Sequence, residues 1–237
     1  MTASGRKRGV DWYSWPCGTS AGRPVWIDVL TADRQTLEAV GHRVGLPPEL
    51  ITYCLLAERR PKVVPCGTWL YSAWQIPLCT TRAPTSGDAA SVRLIEVKAC
   101  LGPSVVVTTR GGGPRKTAVL ARLLPNGGTL VRERAANLLV TLLERVSAAH
   151  VAAHQQLTIS WVDAPGYAPS MGQTPRTAAE TRLLRHVALH REALEKLIAR
   201  GRRWLDAGEI ERLRLLMRQL ATLGGGPSPL DEGPEAA

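Results

Sequence analysis

Residues 45–78, GLPPELITYCLLAERRPKVVPCGTWLYSAWQIPL, decide the reading of this chain. Pro47 and Pro48 lead into a short helix, and Arg60-Pro61-Lys62 ends it. Pro61 has no backbone N–H and disfavours helical geometry at Arg60, so the helix is expected to run from Pro48 to about Arg59 and stop. Beyond it Trp69, Tyr71, Ala73 and Gln75 alternate with Leu70, Ser72, Trp74 and Ile76. That is the period-2 pattern of an aromatic-rich strand, at least half buried.

Upstream, residues 24–30 around Trp26-Ile27-Asp28 read as a strand. Thr31 or Asp33 can cap the helix that follows, Leu37, Val40 and Val44 give it an inward face, and Gly45 closes it as a left-handed residue should. Residues 1–22 are basic and then rich in Trp, Gly and Ser, an entry segment whose Trp12 and Trp15 can pack on the domain.

Downstream, residues 80–90 form a polar loop. Residues 91–101 and 104–109 form two strands turned at Gly102-Pro103, a dipeptide that favours a hairpin. Gly111, Gly112 and Gly113 with Arg115, Lys116 and Thr117 invite a phosphate-loop reading. The spacing lacks GxxxxGK[ST], so a plain turn before a short helix at 117–124 is the better reading. Residues 130–156 read as a long helix through Leu138, Leu139, Leu142, Leu143 and Val146. Residues 157–178 are a Pro- and Gly-containing linker. Residues 179–223 form two helical arms turned at Asp206-Ala207-Gly208, with stripes of Leu184, Val187, Leu194 and Ile198 on one and Ile210, Leu213, Met217 and Leu220 on the other. The tail, 224–237, is too rich in Gly, Pro and acid to bury anything and is expected to be disordered.

At 237 residues the chain holds one sizeable domain, here 23–156, plus a small helical module. Five cysteines, odd in number and without CxxC spacing, fit a reducing compartment. No apolar run approaches the ~20 residues that span a bilayer as a helix. The net charge of +10 suits nucleic acid, an anionic membrane face or acidic proteins, but it is spread along the chain.

Three local signatures, in this order, resemble the cytoplasmic domain of the CorA family of divalent-cation transporters. They are Trp26-Ile27-Asp28 before a helix; Gly45-Leu46-Pro47-Pro48 leading to Arg60-Pro61-Lys62-Val63 and the aromatic strand; and Leu101-Gly102-Pro103-Ser104-Val105-Val106-Val107-Thr108. The resemblance covers roughly residues 24–223. It implies an α/β (α+β) fold, a mixed sheet flanked by helices and followed by a long helical hairpin, with Arg60, Pro61, Lys62, Gly102 and Pro103 as its structural motif. The family's last cytoplasmic helix continues into a membrane span closed by Gly-Met-Asn. Here the second arm runs into Gly224-Gly225-Gly226-Pro227, so a soluble cytoplasmic derivative or a fragment is expected, unable by itself to transport and not an enzyme. The partners implied are further copies of the chain or a membrane-embedded CorA-like relative.

The family binds Mg²⁺ between subunits through acidic side chains, since hard cations need oxygen ligands. The positions that match the first acidic pair are Thr52 and Tyr53, and Arg212, Arg214 and Arg218 make the second arm basic, so this sensor is expected to be lost. Two HxxxH pairs offer another divalent-cation site, for Zn²⁺ or Co²⁺: His150 with His154, and His186 with His190. At i and i+4 two imidazoles share a helix face. Two ligands fall short of the three or four of a stable zinc site, so solvent-facing or rim histidines are the plainer reading. Trp161 and Trp204 read as packing anchors or as stacking residues for a nucleic-acid strand. The reading of another class is a nucleic-acid-binding module using Arg200, Arg202, Arg203, Arg212, Arg214 and Arg218.

Overall fold

A computed structural model describes residues 3–7, 10–14, 24–30, 33–80, 91–110, 134–162 and 178–223. The glycine-rich loop with its short helix, the polar loop at 81–90, the middle of the linker and the tail lie outside them. A seven-stranded mixed sheet has the order β1-β2-β3-β7-β6-β5-β4. The strands are β1 Ala3–Lys7, β2 Val10–Ser14, β3 Pro24–Val29, β4 Lys62–Cys66, β5 Trp69–Thr80, β6 Ser91–Leu101 and β7 Val106–Arg110. β4 to β7 run as an antiparallel meander that returns β7 to lie parallel beside β3. The entry segment contributes β1 and β2, which extend the sheet past β3.

The strand at Trp69 is buried on both faces rather than one. Alternate residues belong to separate cores. Trp69, Tyr71 and Ala73 pack with α1 (Arg34–Val44) and α2 (Pro48–Leu55). Leu70, Trp74 and Ile76 pack with α3 (Ala135–Val162), α4 (Ala178–Arg200) and α5 (Ala207–Leu223). The period-2 pattern thus serves two helical layers with the sheet between them.

Local signals place the element ends. Asp33 caps α1, its Oδ1 accepting from Thr36 N at 2.8 Å, and Gly45 ends it at φ 72°, the left-handed conformation glycine adopts without penalty. Asp206 and Glu209 form a reciprocal capping box at the start of α5. The segment before β5 also forms a strand, β4, hairpinned to β5 through Gly67-Thr68 with Gly67 at φ 58°.

Three ends differ from expectation. α2 stops at Leu55, and Leu56 is already extended. α3 runs on to Val162, because Leu157, five residues before its end, is buried with Val92, Ala153 and Leu183. α4 ends at Arg200 in a single 3-10 turn, Gly201–Arg203, where a Cβ on Gly201 would lie 2.9 Å from Leu205. α4 and α5 close over α3 and the sheet, with Leu194, Leu197, Leu213 and Leu220 in one core with Leu139 and Leu143.

Candidate functional site

All four histidines singled out from the sequence lie on α3 and α4, but the close contact is across the helices rather than within each HxxxH pair. His150 on α3 stacks on His190 of α4, ring centroids 4.9 Å apart and planes 30° from parallel. Trp74 of β5 meets His190 edge-on at 4.9 Å, and Ser147 Oγ lies 3.3 Å from His190 Nε2. His150 Nδ1 donates to the Val146 carbonyl one turn back at 2.9 Å, which places that ring's proton on Nδ1. The Nδ1 atoms of His190 and His186 and the Nε1 of Trp74 are buried with no hydrogen-bond partner among the described residues. His154 is half-buried, its Nε2 3.7 Å from Glu180.

Burial sets the charge of this seam. It pushes His150 down to about 4 against the pull of the Val146 carbonyl, and drives His190 well below the ordinary value, with His150 adding to the effect. His186 is lowered by burial and then by Arg182 and Arg185. Both stacked rings are therefore neutral at physiological pH. Among the described residues no group of three or more His, Cys, Asp or Glu side chains is placed to hold a metal ion. The geometry brings together a stacked pair of neutral imidazoles, with His154 turned toward Glu180.

The opposite face holds a buried charge. Lys98 on β6 is 3% exposed. Its ammonium donates to the carbonyls of Cys54, at 2.8 Å, and Leu56, and lies 3.3 Å from Glu96 Oε2. Glu96 Oε1 accepts from Glu58 N at 2.5 Å, Gln75 Nε2 donates to the Glu58 carbonyl at 2.9 Å, and Lys62 Nζ pairs with Glu58 Oε1 at 2.9 Å. This tie explains why α2 ends early. A cation set on the last carbonyls of a helix satisfies them and opposes the negative end of its dipole, so the chain leaves the helix before Pro61 forces it to. Sequence reasoning passed over Lys98. Its signal was a lysine interrupting an apolar strand, Val97-Lys98-Ala99-Cys100-Leu101.

Of the structural motif, Arg60 is exposed, Pro61 is half-buried and Lys62 opens β4. Lys62 Nζ sits 4.7 Å from the ring centre of Tyr53, which stacks on Tyr71 at 5.1 Å. Thr52 is exposed, its hydroxyl 3.4 Å from the Pro48 carbonyl. The two positions matched to the family's acidic pair thus present a hydroxyl and a ring beside an ammonium. Gly102 is required by contact: a Cβ there would lie 2.7–2.9 Å from three ring atoms of Trp69, and Gly102 N donates to the Val105 carbonyl at 2.8 Å.

That turn, the start of α3 and the 3-10 turn line a cleft of about 550 Å³. Its polar groups are engaged internally: Trp204 Nε1 donates to the Thr68 carbonyl at 2.8 Å, Arg203 to the Gly67 carbonyl at 3.3 Å, and Arg134 to Asp206 at 2.7 Å. Trp204 is a packing anchor between the helices and the β4–β5 turn. Of the arginines of the nucleic-acid reading, Arg212 is bound by Glu144, and Arg214 and Arg218 pair with Glu211. Arg200 and Arg202 are exposed. The glycine-rich loop lies outside the described residues, as does the side chain of Trp161.

The architecture is that of the cytoplasmic domains of CorA-like proteins. It is similar to the ZntB cytoplasmic domain from Vibrio parahaemolyticus, with a TM-score of 0.62 and 12% identity over 90% of this chain and 88% of that one. It is also similar to the CorA magnesium transporter from Methanocaldococcus jannaschii (TM-score 0.58, 15% identity, 84% of this chain, 63% of that one). A third likeness is to the full-length CmaX protein, at a TM-score of 0.64 and 15% identity over 94% of this chain and 73% of that one. The likeness is one of fold, since no family model and no curated protein matches the sequence. No helix among the described residues is long and apolar enough to cross a membrane.

Proposed function

We propose that this chain is a soluble, cytoplasmic regulatory module of divalent metal ion transport, with no transport and no catalytic step of its own, which works as a homo-oligomer or docked on a membrane-embedded CorA-like relative. The observation that carries the reading is the extent of the fold match: nine-tenths of this chain against nearly nine-tenths of a ZntB cytoplasmic domain. Such a match retains the whole unit rather than one recurring motif. The Mg²⁺-sensing step is not part of the reading. A divalent cation needs oxygen ligands, and Tyr53 lies beside the Lys62 ammonium.

The test is absolute mass by light scattering, in EDTA and in millimolar Mg²⁺, together with flotation on vesicles that carry a CorA-like transporter. The expected result is an assembly heavier than the 25.6 kDa chain, or recovery with the loaded vesicles, and in either case no response to Mg²⁺. A chain that stays at its own mass in both media and floats no better with loaded than with empty vesicles overturns the proposal.

A further inference from the structure

Across the sheet from the histidines, two thiols on different elements meet. Cys54, in the last turn of α2, and Cys100, on β6, place their Sγ atoms 3.6 Å apart, and both are buried. We propose that Cys54 and Cys100 are a reversible modification site, closed to a disulfide by a hydroperoxide and reopened by a dithiol, which staples the end of α2 to the middle of the sheet.

The sulfurs are already in van der Waals contact. A disulfide needs about 2.05 Å, so the approach still required is about 1.5 Å, the scale of a side-chain rotation with a small shift of a short helix. The two thiols are also unequal. The Cys100 S–H lowers the Cys54 thiol below its ordinary value against the effect of burial, and the Lys98 ammonium adds to the lowering. Donation to Cys54 and complete burial raise Cys100 well above its own. Cys54 is thus the more readily ionised thiol, the one to attack, and Cys100 the resolving thiol, the asymmetry that exchange chemistry uses. Lys98 and Cys100 stand two apart on one face of β6, so the lysine that holds the Cys54 carbonyl also charges the ground beside its sulfur.

In the first step the Cys54 thiolate attacks one oxygen of hydrogen peroxide. The O–O bond breaks, the departing hydroxide takes a proton to become water, and Cys54 is left as a sulfenic acid. In the second, the Cys100 sulfur attacks the Cys54 sulfur, the S–O bond breaks, and the leaving hydroxide carries off the Cys100 proton as water. Two thiols and one peroxide become one disulfide and two waters. Access comes with opening of α2, only eight residues long and followed by an extended Leu56. Closing the bond would fix the point from which the chain departs toward Arg60-Pro61-Lys62.

The experiment treats the native full chain with stoichiometric hydrogen peroxide, alkylates it in denaturant and maps the peptides. Free thiols are expected to fall from five to three, with the Cys54 peptide joined to the Cys100 peptide and all five thiols restored by dithiothreitol. A Cys66→Ser variant should give the same crosslink. In Cys100→Ser, Cys54 should instead be trapped by dimedone as the sulfenic acid; should that variant not fold, the wild-type map alone decides. Five free thiols after treatment, a crosslink through Cys66 or Cys79, or overoxidation of Cys54 without a crosslink would overturn the proposal.

Discussion

On the α2 face of the sheet a full positive charge is buried, while on the α3–α4 face two rings that could carry charge are buried neutral. Three oxygens surround the Lys98 ammonium, two of them the carbonyls that the end of α2 would otherwise leave without donors. His150 and His190 have one carbonyl and one hydroxyl between them. For them, losing the proton is cheaper than burying the charge. The comparison teaches that residue type sets only the starting point, lysine being far more basic than histidine. The oxygens that the backbone leaves nearby then set what burying the charge costs.

The most severe way to break this contrast is Lys98→Met, which keeps the length of the side chain and removes the charge. Two carbonyls then lose their donor and the half-buried Glu96 keeps only that of Glu58 N, and removal of one partner from a buried ionic cluster typically costs about 3–5 kcal/mol. Urea denaturation should show a loss of that order. A loss below about 1 kcal/mol would mean that the carbonyls find water and that the tie does not hold α2.

The second probe is pH. His150 binds its proton near pH 4 in the folded chain and near 6.5 when unfolded, so between these values the unfolded chain holds more protons. Its contribution to stability is complete above pH 6.5 and is lost as pH falls toward 4, with a slope of up to about 1.4 kcal/mol per pH unit. His190, also lowered, adds in the same direction. Stability measured at pH 7, 6 and 5 should fall more steeply in the wild type than in His150→Gln. Equal slopes would place a protonated ring in the seam.

Gly102→Ala tests the turn between β6 and β7. The added methyl meets the Trp69 ring at under 3 Å, and Trp69 is itself buried, so the ring must shift. Overpacking of this kind costs about 1–3 kcal/mol. Near-UV circular dichroism of the tryptophans should change with it, whereas Gly208→Ala, where a Cβ would meet only Asp206 at 3.5 Å, should leave the spectrum as it is.

Much of the frame is legible in the sequence because it is local. Asp33 and Gly45 bracket α1 by rules that act within four residues, and Gly102-Pro103 turns β6 into β7. The alternation at Trp69 shows a strand, but not that both of its faces are covered, since the second cover comes from helices more than sixty residues further on. The end of α2 is misjudged for the same reason. Pro61 forbids helix at its own position, but the stop is made at Leu56 by Lys98, 42 residues away. Of the candidate site, the positions of the four histidines on helices are readable from i, i+4 spacing. That His150 meets His190 depends on how α3 and α4 cross, which no spacing within one helix encodes.

The smallest effect bears on how those helices are held. Arg212 on α5 makes a two-pronged contact with Glu144 on α3, 2.8 Å at each prong, and also reaches Asn137 and Thr141. Each partner is about a third exposed, so water screens the pair. Bidentate geometry raises its worth above that of an ordinary surface pair. A double-mutant cycle of Arg212→Ala and Glu144→Ala should therefore return a coupling of about 1 kcal/mol, smaller at high salt. A vanishing coupling with a large loss from Arg212→Ala alone would shift the credit to Asn137 and Thr141. The α5–α3 contact would then be held by hydrogen bonds from the guanidinium to neutral acceptors, with the ion pair adding nothing of its own, whereas on the other face the Lys98 ammonium and Glu96 lie in a far drier setting.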